Sequence, residues 1–151
     1  MIYYSHTTRF ENLICTIKKD HNEIKRQLWV LRMLDLRRDW QDYETARNRA
    51  EELEALIKRH IHEEESKLPL TFTEVSEGER LPDEIMAAVF QQHKLILAAF
   101  EDFEKSTHSM QESRWSSIEE LDRIIAAHIK DEDDRVFPLL ISKIRRLDSS
   151  S

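Results

Sequence analysis

The sequence predicts an all-α fold, an antiparallel up-down-up-down bundle of four helices, on three observations. Glycine occurs once and proline three times in 151 residues, so the usual punctuation of β structure is nearly missing. Apolar residues recur three and four apart over four long stretches, the period of one helix face. The links between these stretches are short, which favours antiparallel neighbours. A single domain over 1–151 is expected, because a chain of this length can bury a sizeable core.

The first helix is expected over about 8–36, with Phe10, Ile14, Ile17, Ile24, Leu28 and Leu31 on one face. The second, over about 40–68, follows Asp39 as a cap and carries Tyr43, Ala46, Ala50, Leu53 and Ile57. It is expected to stop near Pro69, leaving "TFTEVSEGERLPDE" as the one sizeable loop. The third helix, about 82–105, starts at a Pro-Asp pair and aligns Ile85, Val89, Ile96, Phe100 and Phe103. After the polar "STHSMQES", which holds His108, the fourth helix covers about 114–146 with Ile118, Leu121, Ile125, Val136 and Leu139. Pro138 is expected to bend its later part, since a proline removes a backbone donor and crowds the turn before it. The final "DSSS" is expected to fray.

Composition also excludes several functions. The net charge is −7, with acidic and basic residues interleaved, so the basic stripe needed for nucleic acid is missing. No apolar run approaches the roughly 20 residues that span a bilayer, and "MIYYSHTTRF" does not resemble a signal peptide. A lone Cys15 cannot form an intramolecular disulfide, which points to a reducing, cytoplasmic location.

Extending each apolar stripe shows what interrupts it. The first helix is broken at His21, the second ends in His60 and Glu64, the third is broken at His93, and the fourth at His128 and Glu132. Residues four apart share a helix face about 6 Å apart along the axis, so each His-x-x-x-Glu pair can reach one centre. Imidazole and carboxylate suit iron, manganese or zinc. Buried without partners, each carboxylate would cost several kcal/mol, a penalty that a pair of cations removes. A single inward histidine is usually a satisfied core residue, but four helices agreeing point to a six-residue metal shell. His62 falls on the opposite side of its helix, and His6 and His108 lie outside the stripes. Glu63, Glu65, Asp131, Asp133 and Asp134 are expected mostly as surface charges, with Glu63 or Glu65 as substitute ligands if the register slips. Trp29, Met33, Trp40 and Trp115 are expected in core or edge packing, and Cys15 as a structural thiol.

The order His, His-x-x-x-Glu, His, His-x-x-x-Glu resembles the hemerythrin-like, or HHE cation-binding, family. "HIKDEDDRVFPLL" keeps the family's spacing, whereas in "HIHEEESKLPL" the proline comes one residue earlier relative to its histidine. The ferritin-like alternative needs Glu-x-x-His, and Ile57, Phe90 and Ile125 stand at the positions where glutamate would be required. The resemblance implies a non-haem di-iron centre bridged by Glu64, Glu132 and an oxo or hydroxo group, with His21, His60, His93 and His128 as terminal ligands. Spacing alone equally allows manganese or zinc. Oxygen-carrying members use a fifth histidine paired four residues away on helix three, where this chain has Val89 and Leu97. Their last-helix motif also uses Asp at a longer spacing than Glu132. The set therefore looks more like the iron- and oxygen-sensing and iron-centre repair members. It implies a protein that binds or senses oxygen, a related diatomic such as nitric oxide, or iron status. The alternatives are an enzyme acting on peroxide or nitric oxide, an iron donor for repair, or an interaction module with structural zinc. No nucleic-acid or membrane partner is expected, and no protein partner is indicated.

Overall fold

The computed structural model describes residues 6–36, 43–108 and 113–150. α1 runs His6–Leu36, α2 Tyr43–Val75, α3 Asp83–His108 and α4 Ser113–Asp131. A π-helical turn over Glu132–Val136 then carries α4 without a break into α5, Phe137–Ser150. Ion pairs between helices fix their relative directions. Arg9 near the start of α1 meets Glu74 near the end of α2, and Arg145 of α5 meets Glu11. At the other end of α1, Arg32 pairs with Asp122 early in α4. Such exposed pairs contribute little stability, but they report an all-α antiparallel bundle of the kind the periodicity predicts.

Two apolar clusters fill the interior. One joins Ile24, Leu28, Leu53, Phe100, Phe103 and Leu121, among others; the other joins Phe10, Ile14, Leu68, Phe72, Phe137 and Ile144. His21, Glu64, His93 and Glu132 are buried at chain positions between those that form the two clusters, and His60 and His128 are buried next to Ile61 and Ile129 of the first. Among the described residues, no helix is long and apolar enough to cross a membrane.

The structure corrects three boundary expectations and one about a helix face. α2 does not stop at Pro69 but continues to Val75. A mid-helix proline costs about 3 kcal/mol, and the continuation of the stripe into buried Leu68, Phe72 and Val75 offsets it. The helix ends instead where Glu77 and Gly78 take positive φ, and the Gly78 amide donates to the Thr73 carbonyl as in a Schellman cap. The loop is thereby shortened to residues 76–82. His108 closes α3 rather than sitting in a loop, and α5 stays helical through Ser150 where fraying is expected. The Asp39 cap and Trp40 lie outside the described residues, as do the side chains of Tyr43, Ala46 and Trp115. Trp29 is 62% exposed rather than packed, and Cys15 is an exposed free thiol.

The fourth correction concerns the face of the last helix. An uninterrupted α-helix after Glu132 would bring Leu139 and Lys143 inward. The π turn, in which the Phe137 amide donates to the Glu132 carbonyl, takes up one extra residue. Leu140 and Ile144 are buried as a result, and Leu139 is 39% exposed. The same insertion explains an offset in the sequence: Pro69 follows His60 by nine residues, and Pro138 follows His128 by ten.

Candidate metal centre

All four imidazoles turn Nε2 toward the two glutamates. Glu64 Oε2 lies 3.0 Å from His60 and 3.9 Å from His21, whereas Oε1 lies 3.1 Å from His93 and 3.8 Å from His128. Glu132 Oε1 stands 2.5 Å from His128 and 3.3 Å from His21. Ring centroids are 4.8 Å apart for His21 and His60 and 4.9 Å for His93 and His128, against 6.1 Å and 6.5 Å across the two pairs. The layer therefore has two poles of two histidines, each facing one oxygen of Glu64. In five of the residues, His21, His60, Glu64, His128 and Glu132, one donor atom apiece lies within 4.8 Å of the others. His93 joins them through Glu64.

The outward Nδ1 atoms follow a second pattern. Asp20 of α1 faces His60 of α2 at 3.5 Å, and Glu65 of α2 faces His93 of α3 at 2.9 Å. Gln92 of α3 faces His128 of α4 at 2.6 Å, and Asp133 of the π turn faces His21 of α1 at 3.8 Å. Each helix thus provides a polar residue for the histidine of the next, and the ring closes around the bundle. For His93 and His128 the contact is a hydrogen bond, and such a group on the far nitrogen fixes the ring orientation and raises its basicity as a ligand.

This ring overturns part of the expectation for the flanking acids. Glu65 and Asp133 face histidines, and Asp131 accepts from Gln92 at 2.7 Å. Glu63 and Asp134 do form surface pairs, with Lys67 and Lys130, and His62 is exposed. Asp20 and Gln92 escape a search by periodicity because each lies one residue off the stripe. Their signal is adjacency, since each directly precedes an inward histidine. Phe137, brought round by the π turn, stacks on His21 with centroids 6.3 Å apart.

The electrostatics are those of two carboxylates forced together out of water. Burial opposes the charge of Glu64, but the facing imidazoles of His21, His60 and His93 outweigh it and hold this carboxyl well below the usual range. Burial and the neighbouring Glu64 push Glu132 well above that range. Burial likewise pulls His128 down to about 3. Burial would lower His93 too, but Glu64 and Glu65 outweigh it and raise this imidazole.

Whether the residues fit a metal can be judged from the polar atoms left over. Nε2 of His21, His60 and His128, Oε2 of Glu64 and both carboxyl oxygens of Glu132 are buried without a hydrogen-bond partner. Buried polar groups are normally satisfied, and these are all nitrogen and oxygen donors converging on one layer. The set fits divalent metal.

A sequence model of the hemerythrin HHE cation-binding domain matches residues 12–140. No curated protein and no solved structure matches the chain significantly.

Proposed function

Because the chain belongs to the hemerythrin HHE cation-binding domain family, we propose that it is a non-haem di-iron protein that binds or senses oxygen, a related diatomic or iron status. His21, His60, Glu64, His93, His128 and Glu132 are the proposed ligands, with Glu64 and Glu132 as bridges beside an oxo or hydroxo group. Manganese or zinc would suit the same donors. The observation that carries the proposal is the convergence of unpartnered Nε2 and carboxylate oxygens in a buried layer. When bound, the metal pair supplies the redox and Lewis-acid chemistry that the side chains lack.

Specificity for a small ligand is supported by the space beside the layer. His21, His60 and His128 border a cavity of about 10 Å³ whose remaining walls are six isoleucines, among them Ile24, Ile57 and Ile125. That volume is about the minimum for one water-sized molecule, and its apolar walls disfavour larger or charged ones. The exposed Cys15 thiol accords with a reducing, cytoplasmic setting.

Metal analysis after anaerobic loading with Fe(II) is expected to find about two irons per chain, with near-ultraviolet bands on oxidation. Retention of no metal would overturn the proposal. The alternative, turnover of peroxide or nitric oxide or donation of iron, is favoured by a surface cleft between α3 and α4 that reaches His128. Stopped-flow mixing of the reduced protein separates the two: a stable adduct supports binding, and repeated consumption of oxidant supports an enzyme.

A further inference from the structure

Three members of the polar ring are carboxylates, Asp20, Glu65 and Asp133, and the fourth is the amide of Gln92. The exception has a local cause. Gln92 Nε2 lies 2.7 Å from Asp131 Oδ2, and Arg135 clamps Asp131 through two hydrogen bonds of 2.7 and 2.8 Å. A carboxylate at position 92 would meet Asp131 with like charge, so the position requires a donor. With its NH₂ committed to Asp131, Gln92 can only accept from His128, through Oε1 at 2.6 Å. That fixes the proton of His128 on Nδ1 and leaves the Nε2 lone pair directed into the layer.

The two poles are consequently unequal. His21 and His60 have two outer carboxylates nearby, Asp133 and Asp20 at 3.8 and 3.5 Å, whereas His93 and His128 hydrogen-bond one carboxylate and one neutral amide. The difference between the poles is therefore one of charge, since an amide adds no negative charge to attract a cation. Access differs in the same direction. Gln92 and His128, with Leu95, Ile124 and Ala127, line a surface cleft of about 280 Å³ that neither His21 nor His60 lines; the small isoleucine-walled cavity is bordered by His21, His60 and His128 alike.

We infer that Gln92 is a positioning residue that makes the His93–His128 pole the weaker metal site, filled last and exchanged through the α3–α4 cleft. This rests on the metal centre proposed above. The His21–His60 pole is filled first and held more tightly. Through Gln92, the link from Arg135 to His128 sets the difference between them.

The test is anaerobic calorimetry of Fe(II) added stepwise to the metal-free full chain, with melting temperatures of each variant recorded beforehand. The wild type is expected to show two steps whose affinities differ at least about tenfold. The double variant Gln92→Glu/Asp131→Asn exchanges the two groups, keeps the size and net charge, and leaves a donor facing a carboxylate. It is expected to tighten the weaker step about tenfold and leave the stronger one in place. Gln92→Leu is expected to weaken that same step at least about tenfold; if it fails to fold, the isosteric double variant still decides. Two equal steps, or a weaker step that the exchange leaves unmoved, would overturn the inference while keeping the metal centre. Absence of any Fe(II) binding to the wild type would overturn the metal centre and the inference together.

Discussion

Glu64 and Glu132 occupy corresponding places in the two His-x-x-x-Glu pairs, yet their surroundings shift them in opposite directions in the metal-free protein. Three histidines favour the charged form of Glu64 against its burial, and burial beside Glu64 favours the protonated form of Glu132. Glu132→Gln is therefore expected to leave the melting temperature of the metal-free protein nearly unchanged while abolishing stable loading, because the amide copies a neutral carboxyl but makes a poor bridge. Glu64→Gln removes the charge that orients His21, His60 and His93, and is expected to cost about 3 kcal/mol even without metal. Equal melting temperatures for the two variants would contradict this division. The same states give the pH dependence its sign. Glu132 and His93 are both raised, so each keeps its proton to higher pH than usual in the metal-free protein, and a ligand must shed it. Affinity is expected to fall about tenfold per pH unit for each proton displaced on acidification. Calorimetry in buffers of different ionisation enthalpy measures that release. At this scale the sequence exposes all six inward residues, because stripe positions are readable one helix at a time. The ring of Asp20, Glu65, Gln92 and Asp133 is not readable, because each member acts on a neighbouring helix and adjacency along the chain does not reveal the partner.

At the scale of elements, the two prolines carry different lessons. A proline normally marks a helix end, and Pro69 misleads for that reason: Leu68, Phe72 and Val75 keep burying apolar surface beyond it. Tertiary packing overrides the local signal there. Pro138 does mark an irregularity, but as a π turn before it rather than a simple bend. Periodicity at 3.6 residues per turn puts Leu139 inward; the extra residue puts Leu140 there instead. Deleting Asp134, an exposed residue paired only with Lys130 among the ion pairs, is expected to convert the turn to regular α-helix and bring Leu140 and Ile144 into register. The cost should not exceed about 1 kcal/mol, the scale of a surface pair. Because Asp133, within the turn, would lose its placement against His21, metal affinity is expected to fall more than stability. Far-ultraviolet circular dichroism with metal analysis checks both. A variant that unfolds would show that the π turn is required by the core and not by the site.

For the whole molecule, bundle topology and class follow from composition and periodicity because almost every buried residue lies on a helix stripe. Helix length and the exit from α2 needed the packed structure. The polar layer between two apolar clusters makes metal binding and folding one equilibrium, since an unfolded chain holds no converged site. A metal at 100 times its Kd stabilises by about 2.7 kcal/mol, which for a chain of this size raises the melting temperature by roughly 5–10 °C. Leu53→Ala, a fully buried change away from the ligands, is expected to cost about 3 kcal/mol with or without metal. It thereby separates core stability from the metal contribution in thermal melts. The central claim is tested most directly by counting iron in the wild-type chain after anaerobic Fe(II) loading and removal of unbound metal, beside Glu132→Gln. About two irons per wild-type chain, few or none in the variant, and a melting temperature that rises only in the wild type are the expected result. A wild type that retains no iron and melts at the same temperature with and without it would contradict the metal centre.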